Sequence, residues 1–177
     1  MKAPTLYAVS FALAAFCAFG ADAQEKCKLK SEYPGSTATY TQEHAIDVGD
    51  VPGHQIRISE AHRTFPKDAE PNCEGLKTTE KWARAFYDYT DGNGRTWGYT
   101  VSVLENGDKI FSKYDGTVET FIDSDGSKKR IITAIEIYTG GTGKYVGIRG
   151  LSRNTSKVDL GKKAVQASYD SEYWFQK

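Results

Sequence analysis

The 177-residue chain has one methionine, three cysteines and no excess of charge, with 23 Lys+Arg against 23 Asp+Glu. Each scarcity excludes something. A zero net charge argues against a nucleic-acid partner, because a phosphate-binding surface shows itself as a basic excess or cluster. The densest basic run, Lys128-Lys129-Arg130, is only a tripeptide. No cysteine has a second cysteine or a histidine at ligand spacing, so no metal site is indicated, and no pattern points to a cofactor. Nor do Ser/His/Asp or Cys/His residues assemble into a catalytic signature. Beyond the first twenty residues there is no long apolar run, and a 3.6-residue period is hard to place anywhere. What remains, 39% hydrophobic and 12% aromatic, describes one globular domain.

The N-terminus reads as a leader. Lys2 supplies a positive end, Leu6 to Phe19 is apolar apart from Ser10, and Ala21-Asp22-Ala23 is a small-x-small cleavage site. The alternative, a membrane anchor, needs ~20 apolar residues where this run has about 14. Residues 1–23 are therefore expected to be a signal peptide, directing the chain to the periplasm or outside the cell. Cleavage removes Met1, Cys17 and one charge of each sign. The two remaining cysteines, Cys27 and Cys73, are most simply a disulfide in an exported chain, with two buried free thiols as the alternative. A loop of this length would confer about 4 kcal/mol in the chain-entropy picture.

The mature chain alternates apolar and polar residues at period two, between Gly-containing turns. Extended segments are expected at Tyr40–Val48, Gly53–Thr64, Lys81–Thr90, Thr96–Glu105, Lys109–Tyr114, Thr117–Asp123, Arg130–Thr139, Lys144–Gly150 and Ala164–Phe175. Asp91-Gly92-Asn93-Gly94, Asn106-Gly107, Asp115-Gly116 and Asp125-Gly126 supply hairpin turns between them. This predicts an all-β fold, an antiparallel closed barrel of about eight strands, which buries its edges most completely. A two-sheet sandwich is the alternative. Residues 24–39 are expected as a separate extended segment before a barrel domain of residues 40–177. Phe65 to Glu80, with Pro66, Pro71, Cys73 and Gly75, is expected as a long rim loop that the disulfide straps to the N-terminal segment.

Thr139-Gly140-Gly141-Thr142-Gly143-Lys144-Tyr145 invites a phosphate-loop reading, but Gly143-Lys144-Tyr145 runs into another strand and no helix follows. A tight turn is the better reading. The stretch Ile135 to Gly150, an apolar strand, Gly-Gly-Thr-Gly, an aromatic and a short Gly-containing strand, resembles a motif shared by the allene oxide cyclases and the dirigent proteins. Val48-Gly49-Asp50-Val51-Pro52 and the hairpin from Tyr99 to Gly116 extend the likeness. It implies an eight-stranded antiparallel barrel of the lipocalin-like group and, since both families form trimers, a homo-oligomer. The cyclases place a Glu and a Cys in an apolar cavity, and neither is matched here by motif.

Candidate interior residues follow from face alternation. From Gly53 to Thr64 the even positions are His54, Ile56, Ile58, Glu60 and His62, and the two isoleucines mark that face as inward. Glu60 then needs a partner, which Arg84 or Asp88 could supply from a face shared with Trp82 and Phe86. Tyr99 joins the set with Trp97, Val101 and Val103, and Tyr169, Tyr173 and Phe175 share a face of the last strand. Glu136 alternates out of the Ile131, Thr133, Ile135, Ile137 face and is expected outside. The ligand-binding candidates are thus Glu60, Ile56, Ile58, His62, Arg84, Phe86 and Tyr99; the bland alternative for Glu60 is a structural salt bridge. Asn154-Thr155-Ser156 also fits the glycosylation pattern. Three functions are open: an exported barrel holding a small apolar or amphipathic molecule without catalysis of its own, an allene oxide cyclase-like isomerase acting on a lipid-derived substrate with Glu60 as its charged participant, and a filled, dirigent-like barrel acting through its outer surface.

Overall fold

A computed structural model describes residues 25–162 and 164–176. The expected signal peptide lies outside the described residues. Eight antiparallel strands follow in sequence order: β1 (Cys27–Asp47), β2 (His54–Thr64), β3 (Thr78–Thr90), β4 (Asn93–Leu104), β5 (Lys109–Ile122), β6 (Lys128–Gly141), β7 (Ile148–Asp159) and β8 (Ala164–Phe175). Each pairs with the next, and β8 pairs with β1, so the sheet closes on itself as a barrel.

The long first strand makes closure work. Its first half pairs with β8, from Cys27 opposite Tyr173 to Ser36 opposite Val165, and its second half pairs with β2, from Thr37 opposite Thr64 to Asp47 opposite Gln55. Residues 27–39, expected as a segment apart from the barrel, are therefore one of its walls. Register shifts at Pro34/Ser36 and at Tyr40/Gln42 flank the changeover. Proline cannot donate to a ladder, so Pro34 suits such an irregularity.

Most turn signals hold. Asp91-Gly92 links β3 to β4 in two residues, both with positive φ (52° and 80°), as a tight hairpin requires. Asp115-Gly116, expected as a turn, instead lies within β5, which runs unbroken through both segments assigned there. Gly116 is there because a Cβ at that position would stand 2.2 Å from the Thr133 carbonyl oxygen of β6. The glycine-rich stretch forms a single 3-10 turn at Gly143–Tyr145, and the strand expected from Lys144 begins only at Ile148.

That turn builds the barrel floor. It drives Tyr145 into full burial beside Leu104, Ile110, Ile148 and Tyr173. Burying a side chain of that size contributes roughly 1.5–3 kcal/mol. The loop over residues 65–77 covers this end: Asn72 Nδ2 donates to the Tyr145 hydroxyl at 2.6 Å, Tyr173 donates to Glu74, and Cys73 is disulfide-bonded to Cys27. Burial pushes the Tyr145 phenol up to about 12, which keeps it neutral.

Candidate functional site

Above the floor the barrel is hollow. A cavity of about 540 Å³ lies between Ala38–Tyr40 of β1, Val158 to Leu160 at the end of β7 and Val165 of β8, and reaches down to Lys81 and Glu136. A smaller space of about 80 Å³ lies on the floor side, and Lys81, Glu136 and Tyr169 line both. These three residues form a partition across the lumen.

The residues that create the hollow are small. Ala61, Ala83, Thr96, Thr100, Ala134 and Ser156 alternate along their strands and project little into the lumen. An eight-stranded barrel is just wide enough to be filled by side chains, so only small residues at inward positions leave room for a ligand. The phenol rings of Tyr40, Tyr87, Tyr114 and Tyr169 stand around the space so formed. Burial pushes the Tyr87 and Tyr114 phenols up, so both remain protonated.

Glu136 is only 2% exposed and is fully engaged. Its Oε2 accepts from Lys81 Nζ at 2.6 Å and from Asn154 Nδ2 at 2.7 Å, and its Oε1 accepts from the Thr100 hydroxyl. Burial alone would push its pKa up, but the Lys81 charge and these donors hold it below the ordinary carboxylate value. Burial likewise opposes the Lys81 charge, and Glu136 outweighs it, so the ammonium lies above its ordinary value. Both partners are therefore ionised. Lys81 also stands 4.9 Å from the Tyr169 ring centre, and the hydroxyl of that tyrosine accepts from Arg63 Nη1 at 2.9 Å.

This arrangement inverts the face assignment made from the apolar residues. Ile56, Ile58 and Tyr99 are 50%, 46% and 61% exposed and lie on the outer wall, while Ser59, Ala61 and Arg63 turn inward. Glu60 does pair with Arg84, at 2.8 Å, and accepts from Thr41, but on the outer face. His62 stacks on Trp82 with ring centres 4.1 Å apart and meets Glu80 at 3.1 Å, and Phe86 stacks on Trp97, again outside. Ile135 and Ile137 are exposed, and Glu136, expected outside, is the buried acid. The isomerase reading thereby loses Glu60 as an interior participant. The Asn154 side chain is bound to Glu136, so the glycosylation pattern falls on a lumen residue. Of the aromatic assignments, the inward face of β8 stands: Tyr169 lines the cavity and Tyr173 is 4% exposed in the floor.

The signal for the true interior was present as small residues at period two, as in Ala83-x-Ala85 and Thr96-x-Gly98-x-Thr100. Among the described residues no group of three or more His, Cys, Asp or Glu could hold a metal ion, and no helix is long and apolar enough to cross a membrane.

No family model matches the chain, and no curated protein matches it. Among solved structures it is similar to two pterocarpan synthase dirigent proteins. PsPTS1 has a TM-score of 0.46 and 14% identity, over 86% of this chain and 97% of that one. GePTS1 has a TM-score of 0.42 and 14% identity, over 96% of this chain and the whole of the other.

Proposed function

We propose that the chain is an exported β-barrel that holds a small amphipathic molecule in its lumen, without catalysis of its own. The cavity of about 540 Å³ carries this reading, because it lies within the ~300–1,000 Å³ range of small-molecule sites and combines apolar and phenolic walls with a few convergent polar groups. The buried Lys81–Glu136 pair supports it as well. Such a pair contributes little to stability against an apolar replacement, so its presence beside an open space suits a polar anchor. The leader-like N-terminus and the Cys27–Cys73 disulfide favour export. Native mass spectrometry of mature protein from its own source tests the reading. An adduct is expected, extractable as a discrete small molecule and lost in Ala83→Phe, which fills the lumen. A clean protein mass that takes up no amphipathic probe would overturn it.

A second reading rests on the outer wall. Ile58, Phe86 and Trp97 fall on one row across β2, β3 and β4, which Asp115 of β5 separates from Ile135 of β6, and on the next row Lys113 of β5 stands between Tyr99 and Ile137. The exposed Ile56, Ile58 and Tyr99 on one side of β5 and Ile135 and Ile137 on the other favour association with a second copy of the chain. Light scattering should give an oligomer that Tyr99→Glu dissociates; a monomer at high concentration would exclude it.

A further inference from the structure

We infer that the molecule held in the lumen is a small organic carboxylate with an aromatic body. This rests on the reading of the cavity as a binding site and goes one step further, to the charge and shape of the occupant.

The argument is a count of donors and acceptors. Four charged residues line the cavity: Arg63, Lys81, Glu136 and Asp159. The two acids are already satisfied. Glu136 accepts from Lys81, Asn154 and Thr100, and Asp159 meets Lys129 at 2.6 Å and accepts from the backbone N–H groups of Gly161 and Lys162. A cationic ligand would have to displace these partners.

The two bases are not satisfied. An ammonium has three donors and a guanidinium five. Among the described residues Lys81 gives one side-chain hydrogen bond, to Glu136, and Arg63 gives one, to the Tyr169 hydroxyl, and Arg63 has no salt bridge. Tyr169 touches both cations, its ring beneath Lys81 and its hydroxyl at Arg63, so their unused donors flank one wall of the cavity. With Lys81 balanced by Glu136, the remaining charge is that of Arg63, a single positive charge. It matches a monoanion, and a planar carboxylate suits the fork of a guanidinium.

The rest of the lining selects the body. Tyr40, Tyr87 and Tyr114 present rings, and Ala61, Ala83 and Ala134 present only methyl groups between them. Space bounded by phenols favours an aromatic ring in offset or edge contact over a flexible chain.

Calorimetric titration of the mature protein with naphthoate and with its uncharged counterpart naphthalenemethanol, at neutral pH, is the test. Naphthoate should bind about tenfold more tightly than the alcohol, as for a charge-assisted hydrogen bond. Arg63→Gln should erase that preference, and Ala83→Phe should abolish binding of both. Equal binding of the two probes, or a preference that survives Arg63→Gln, would overturn the carboxylate inference and leave the lumen reading standing. Failure of both probes to bind, or binding that survives Ala83→Phe, would overturn both.

Discussion

The Lys81 ammonium stands 2.6 Å from the Glu136 carboxylate in the middle of the barrel, with 13% and 3% of the respective side chains exposed. Removing one member leaves the other charged and stranded. Glu136→Leu should therefore cost roughly 3–5 kcal/mol, and pairing it with Lys81→Met should restore most of the loss. Chemical denaturation of the single and double variants checks this. A single variant as stable as the parent would show that Lys81 does not depend on Glu136.

His54 lies between two aspartates at the other end of the barrel, with Nδ1 2.6 Å from Asp50 and Nε2 2.9 Å from Asp88. The hydrogen bond to Asp88 and then that to Asp50 raise its pKa above the ordinary 6.5. A raised base stabilises the fold fully below 6.5 and loses that contribution as pH rises through the folded value. Asp50 runs the other way: the His54 bond lowers its pKa from 3.8, so its contribution is present above 3.8 and lost as pH falls through the folded value. This end should be tightest between those limits. An NMR titration should place the His54 midpoint above 6.5 and move it down in Asp88→Asn; a midpoint at or below 6.5 in the parent would refute the assignment.

The Cys27–Cys73 bond spans 46 residues and ties the start of β1 to the loop that covers the floor. Replacing both cysteines with serine should cost about 2–5 kcal/mol. Hydrogen exchange should then quicken first over residues 65–77. Uniform loss of protection across all strands would show instead that the bond holds the whole barrel rather than its floor.

Gly116 offers a direct check on β5. In β5 the methyl added by alanine would lie 2.2 Å from the Thr133 oxygen and 2.7 Å from the Ala134 Cα. Gly116→Ala should destabilise by about 1–3 kcal/mol through overpacking. A neutral effect in thermal unfolding would show that β5 and β6 do not approach this closely at Gly116.

Much of the backbone was legible in the residues themselves. Period-two alternation marks β2, β3, β4, β6 and β8, Asp91-Gly92 and Asp125-Gly126 mark hairpins, and Cys27 and Cys73 are joined. Glycine misled where it served packing instead of a turn, as at Gly116, since composition alone cannot separate a positive φ from a close approach of two strands. The length of β1 escaped for a related reason: Lys28, Lys30 and Glu32 make it look like a polar tail until β8 lies beside it.

The sequence by itself determined that this chain is made of hairpins and which residues share a face of each strand; whether a face looks into the barrel or out of it was decided only by closure. Alternation at period two is symmetric between the two sides. The usual tie-break, that the apolar side is buried, fails in a narrow barrel. There the concave side admits mainly small residues and a few tyrosines, and Ile56 and Ile58 of β2 and Ile135 and Ile137 of β6 are left on the convex wall. Closure also brings Lys81 of β3, Glu136 of β6 and Asn154 of β7 to one point in the lumen, a meeting of three strands that no local spacing encodes.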